Sequence, residues 1–160
     1  MKVVFIVPKS DDQHQQIDPL TQCRIFPPIG LARMAGIIGR HAVVSLLDER
    51  LETDAQPEPT DIAIIFINSY NQQRACDLAR TYQALGCCVV MTGALLSCIT
   101  DFPSDAADCW FIGSGEDHLA RFLSDYQKGK PKQFYRATGE VTSAAQYHRA
   151  VDGTPLRLAS

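Results

Sequence analysis

A chain of 160 residues, 46% of them apolar, is long enough to form one domain with its own core, with no need of disulfides or a structural metal. Its net charge of −3, with acidic and basic residues interspersed, supplies no basic field and excludes nucleic acid as the expected partner. The opening apolar run at 3–7 ends at Pro8 and is too short for a signal peptide, and the run at 62–67 is too short to span a membrane. A cytoplasmic protein with no membrane partner is expected.

Six cysteines are present, but none are spaced as C-x-x-C or as a C-x-x-x-C-x-x-C triad. Cys76, Cys87, Cys88, Cys98 and Cys109 fall in or beside apolar segments, which fits small buried hydrophobes in a reducing compartment. No iron–sulfur cluster is expected on this chain.

In chain order, residues 3–7 read as a first strand, followed by a long polar connection over 9–26. Pro27-Pro28 opens a helix whose inward face is Leu31, Met34, Ala35 and Ile38, with Arg33 and Arg40 toward water. Gly39 and His41 end it, and 43–47 forms a second strand finishing at Asp48-Glu49. The stretch 52–60 is polar with two prolines, so the crossover holds at most a short helical turn and leaves one flank of the sheet thinly covered.

The chain is organised around 61–71, D-I-A-I-I-F-I-N-S-Y-N. Its run at 62–67 is rich in β-branched residues and has no polar side, as in a central strand covered by helices above and below. Asn71 is placed to cap the next helix, with Ala75, Leu78, Ala79, Tyr82 and Leu85 inward and Gly86 as its stop. A fourth strand at 87–91 runs into Thr92-Gly93-Ala94, and 95–106 is short and mixed. A fifth strand at 109–112 ends in Gly113-Ser114-Gly115-Glu116, and a helix follows with Leu119, Phe122, Leu123 and Tyr126 on one face and Gly129 after it. The fold expected is α/β, a doubly wound five-stranded parallel sheet in the flavodoxin-like order 2-1-3-4-5, over residues 1–129, with 130–160 as an extension or linker.

Ligands of open α/β sheets bind beyond the carboxyl ends of the strands. Three such ends carry chemistry here: Ser69-Tyr70-Asn71, Thr92-Gly93-Ala94 and Gly113-Ser114-Gly115-Glu116. Glycines there let a ligand approach the backbone, while hydroxyls and helix-start N–H groups can meet amide or phosphate oxygens. Each loop alone is equally consistent with a simple turn.

Taken together, P-P-I-G-L-A-R-M-A-G-I-I, the strand ending at Asp48, S-Y-N, T-G-A and G-S-G-E-D-H-L resemble the cobalamin-binding domain found at the amino terminus of many radical SAM enzymes. That resemblance implies a corrin lying across the carboxyl edge of the sheet, with its nucleotide tail passing into the core. Ser69, Tyr70 and Asn71 would border the corrin or its tail. Thr92 and Gly93 would line the tail channel, so a bulky residue at Gly93 is expected to abolish binding and leave the fold intact. Gly113, Ser114, Gly115 and Glu116 would match the family's G-x-G-E, whose glycines leave room for the tail and whose glutamate caps the last helix.

Two departures shape the expectation. Where the family has two glycines, proline and histidine after the fourth strand, Gly93 is followed by Ala94, Leu95 and Leu96, and the extra methyl at Ala94 narrows or blocks the channel. The radical SAM cluster motif is missing, which implies a module that supplies cobalamin to a radical SAM domain or protein rather than an enzyme by itself. Asp12-Gln13-His14 matches only part of D-x-H-x-x-G, with Ile17 at the glycine position, so the cobalamin is expected base-off, without His14 as a cobalt ligand.

The alternative is a flavodoxin-like domain that has lost its cofactor and works as an interaction module. A phosphate-accepting receiver needs an aspartate where Asn68 or Ser69 stands, a flavin protein needs a better phosphate loop than P-K-S-D-D-Q, and a dinucleotide fold needs G-x-G-x-x-G.

Overall fold

The computed structural model describes residues 1–11, 29–52, 56–97, 105–113 and 115–136. Six strands form one parallel sheet: β1 (Lys2–Val7), β2 (Val43–Asp48), β3 (Ile62–Phe66), β4 (Cys88–Thr92), β5 (Cys109–Ile112) and β6 (Phe134–Arg136). Their order is β2-β1-β3-β4-β5-β6, and every pairing is parallel. The helices of the described residues are α1 (Ile29–Ile38), α2 (Gln72–Ala84) and α3 (Gly115–Gln127), with a 3-10 turn at Ala94–Ser97. No described helix is long and apolar enough to cross a membrane.

β3 is central, between β1 and β4, and Ile62, Ala63, Ile64 and Ile65 are fully buried. Burying an isoleucine of this kind contributes about 1.5–3 kcal/mol, and both faces of the strand collect it. Side chains alternate across a strand, so Ala63 and Ile65 pack with Ala75, Leu78, Ala79 and Tyr82 of α2, while Ile62 and Ile64 pack with Leu31, Met34 and Ile38 of α1 and Leu119 and Phe122 of α3.

Both long helices stop at glycine in the same way. After α2, Gly86 at φ +79° donates to Gln83 O at 2.9 Å and Cys87 donates to Tyr82 O at 3.0 Å. After α3, Gly129 at φ +69° donates to Tyr126 O at 2.9 Å and Lys130 to Asp125 O at 2.9 Å. Each is a Schellman pair, in which the left-handed residue lets two orphan carbonyls find donors. The closure after α2 uses the Cys87 amide, and β4 begins one residue later than expected.

Three expectations need correction. The sheet has six strands rather than five: β6 lies beyond Gly129, within the stretch read as an extension, and Trp110 N donates to Gln133 O at 2.7 Å. Tyr135 on β6 is fully buried and joins Phe111 and Phe122 in an edge-to-face triad with centroids 5.3–5.7 Å apart. Leu85, read as inward, is 40% exposed because it occupies the C-cap, where the helix has already begun to turn away.

The third concerns Asn71, which stands at the N-cap of α2 but makes no side-chain cap bond. Its Nδ2 donates to Phe66 O at 3.1 Å and Pro8 O at 3.5 Å, and its Oδ1 accepts from Asn68 N at 2.8 Å. Asp11 caps the helix instead, accepting from Gln73 N at 3.1 Å and Arg74 N at 2.9 Å. A charged cap at a helix start is favoured by the orphan amides and by the dipole together.

Candidate functional site

The parallel order brings the carboxyl ends of β1, β3, β4 and β5 to one edge of the sheet. Ser69 and Tyr70 after β3, Thr92 and Gly93 after β4, and Gly113, Gly115 and Glu116 after β5 therefore share that edge. Ser114 and His14 lie outside the described residues, and of Ala94 the structure describes only its place at the start of the 3-10 turn.

The residues of this edge differ in what they leave available. Ser69, Tyr70 and Gly113 are exposed, Gly115 and Glu116 are half-buried, and Asn71, Thr92 and Gly93 are buried. Asn71, 1% exposed, has both ends of its carboxamide engaged in pinning the β1 and β3 ends together. It braces the edge and presents nothing to a ligand. Asn68 forms an Asx turn with Tyr70 N at 2.8 Å, which lifts the Tyr70 ring outward to 51% exposure.

Gly93 and Gly115 are glycines for different reasons. A Cβ at Gly93 would stand 2.0 Å from Ile67 O, and φ there is +148°. Ile67 N donates to Thr92 O at 2.8 Å, so the two chains are clamped backbone to backbone at that point. The expectation that a bulky residue at Gly93 would spare the fold is therefore overturned: it meets main chain, not an open channel.

A Cβ at Gly115 would meet Thr92 Oγ1 at 2.7 Å and Met34 Sδ at 2.8 Å, both ends of side chains. At Gly113, φ is +99° and the nearest atom to an added Cβ is His118 Nε2 at 3.9 Å. The cradle between the ends of β4 and β5 is thus lined by side-chain atoms rather than main chain, and the flexible Met34 from α1 lies in it.

His118 is a member of this site that sequence reading passed over. It is 1% exposed, its Nε2 lies 2.8 Å from Ile112 O, and its ring stands edge-on to Phe111 at 5.9 Å. A carbonyl only accepts, so Nε2 carries the hydrogen, and the bond ties α3 to the end of β5. Its position as the sixth residue of a G-x-G-E-x-H pattern was the available signal.

A second polar group braces β2 against α2. Arg74 meets Glu49 side-on, Nε to Oε2 at 3.0 Å and Nη2 to Oε1 at 2.5 Å, and Lys9 N donates to Glu49 Oε2 at 3.3 Å. The hydrogen bonds that Arg74 donates to Glu49 raise the Arg74 pKa. Asp48 pairs side-on with Arg50 at 2.7 and 2.8 Å. These forks lie where the crossover from β2 to β3 contributes no described helix, and they replace apolar cover with fixed ion pairs.

Electrostatics at the helix starts disfavour a free anion. α2 begins on Asp11, and α3 carries Glu116 and Asp117 in its first turn, with Glu116 3.3 Å from Arg33 of α1. Among the described residues, no three His, Cys, Asp or Glu side chains could hold a metal ion together. The cysteines at 76, 87, 88 and 109 are free thiols. On the neighbouring strands β4 and β5, the interaction between Cys88 and Cys109 lowers the Cys88 pKa and raises that of Cys109, which burial raises further. An open depression bounded by Met1, His41, Asp61 and Tyr126 lies at the opposite, amino edge, away from the carboxyl ends of the strands. Compared with models of protein families, with curated proteins and with solved structures, the chain matches none.

Proposed function

We propose that the chain is a cobalamin-binding module of the kind that serves radical SAM chemistry, supplying the cofactor to a radical SAM domain or protein and not turning over substrate alone. What carries the reading is the glycine cradle at Gly113 and Gly115, whose close neighbours are the ends of side chains and not main chain. The chain's residues fit a flat ligand with a narrow tail on one condition: Met34 must swing out of the cradle, which an unbranched thioether side chain can do. Ser69, Tyr70 and Gly113 would meet the broad face, Thr92 and Gly115 the tail, and Asn71 and Gly93 would hold the edge in shape. Cobalamin would supply the cobalt–carbon chemistry, base-off and without a histidine of this chain beneath the metal.

A second reading, an interaction module that holds no cofactor, is favoured by Met34 itself, because its thioether already packs where a tail would enter. Incubation with hydroxocobalamin, gel filtration and a visible spectrum of the protein peak separates the two. Corrin absorption that travels with the protein, and is lost in Gly115→Leu, supports the first reading. A colourless protein peak at saturating cobalamin leaves the second. In the loaded protein, nitrogen splitting in the Co(II) resonance that disappears in His14→Ala would refute the base-off assignment without histidine.

A further inference from the structure

β2 is an edge of the sheet, and no described strand pairs with its outer side. An edge strand offers a row of unpaired N–H and C=O groups, which natural sheets blunt with charge, proline or shortness. The far edge does so: β6 has three residues, ends at Arg136 and follows a Pro131-Lys132 pair. β2 has six residues, V-V-S-L-L-D, with no charge or proline before Asp48. Val43 is 70% exposed and Leu46 55% exposed.

Bonds on the inner side determine which groups point outward. Val43 N donates to Met1 O and Glu49 N to Val7 O, each at 3.0 Å, so the odd-numbered residues of β2 face β1. The even-numbered ones face out. The Asp48 carbonyl is engaged by the amides of Leu51 and Glu52 at 2.9 Å, which leaves Val44 and Leu46 as an open ladder symmetric about Ser45.

We propose that β2 is a homodimer interface, to which a second copy of this chain adds its own β2 antiparallel. Val44 of one copy stands opposite Leu46 of the other, with the two-fold axis at Ser45. Each facing pair exchanges both of its backbone hydrogen bonds, as hydrogen-bonded antiparallel pairs do, and the two pairs are equivalent by symmetry. The exposed Leu46 side chain then packs on Val44 across the axis. Charge favours the antiparallel sense: exposed Arg40 precedes the strand and exposed Glu52 follows it, so reversal sets the basic end of one copy beside the acidic end of the other. The same reversal turns the two carboxyl edges in opposite directions, and neither copy covers the other's candidate site.

Light scattering and sedimentation of the whole chain over a range of micromolar concentrations test this. The wild type is expected at twice the mass of one chain. Leu46→Lys places a cation against each facing pair, and Val44→Pro removes an outward donor without touching the inner ladder, a position where edge strands accept proline. Each should give the mass of a single chain with an unchanged circular dichroism spectrum. In the wild type, the Val44 and Leu46 amides should exchange with solvent more slowly as concentration rises. A wild type that stays at single-chain mass, a folded variant that stays dimeric, or outward amides that exchange at an exposed rate in the associated state would each overturn the proposal.

Discussion

Asp11 and Arg74 are 63 residues apart in the chain, yet the Asp11 carboxylate accepts the Arg74 amide at 2.9 Å and so begins α2. Asp11 N also donates to Tyr70 O at 2.7 Å, which fastens the end of β1 to the loop after β3. Removing a helix cap costs about 1 kcal/mol, within a range of 0.5–2. Asp11→Ala should lower the urea midpoint by a corresponding amount with the slope unchanged, and Asp11→Asn should lose less. A midpoint that does not move would show that α2 needs no cap from the β1 loop.

Gly93 and Gly113 separate steric conflict from backbone strain. At Gly93 an added methyl would sit 2.0 Å from Ile67 O, and the strand pairing must open to admit it. At Gly113 the methyl finds room and only φ +99° resists it, a cost of about 1–3 kcal/mol. Gly93→Ala should therefore leave little folded protein, while Gly113→Ala should fold with a reduced melting temperature. If Gly93→Ala melts like the wild type, the pairing between Ile67 and Thr92 yields to a methyl group and is not a clamp.

Burial pushes the hydroxyls of Tyr82 and Tyr135 up to about 12 from an ordinary value of 10. The folded chain therefore favours the protonated forms, so their contribution is complete below pH 10 and falls away as pH rises from 10 to 12. Tyr135 also accepts Lys132 N at 2.9 Å and donates to Asp125 at 3.1 Å, so Tyr135→Phe should be less stable at neutral pH yet decline less steeply above pH 10. Equal alkaline slopes for the two proteins would exclude Tyr135 as a source of the decline.

Much of this fold could be read from the chain because its central strands report their own surroundings. A run such as I-A-I-I-F can be satisfied only between two layers of helix, and the helices state their inward faces by spacing. What escaped the reading depends on partners distant in sequence. The cap at α2 falls to Asp11 because Asn71 is drawn away to Pro8 and Phe66, a choice that no local pattern around either residue displays. That a side chain at Gly93 would disturb the fold was not legible, because a glycine at a strand end has the same appearance whether open space or the Ile67 carbonyl stands beside it. The ion-pair fork of Glu49 and Arg74 likewise joins residues 25 positions apart.

β6 was missed because F-Y-R is too short to show a period, although its middle residue does much of the packing at that end of the sheet. Tyr135 is fully buried and completes the triad with Phe111 and Phe122, the second of which lies on α3. Ending the chain after Gly129 would uncover both rings and leave β5 as the edge strand. Deleting a buried aromatic side chain costs about 3–5 kcal/mol, a large part of the stability of a domain this size. Tyr135→Ala in the full chain should lose a similar amount, whereas Phe134→Ala, at a side chain 36% exposed, should lose far less. Denaturant unfolding of these three proteins checks the assignment, and a chain cut at 129 that is as stable as the wild type would return residues 130–136 to the status of a linker.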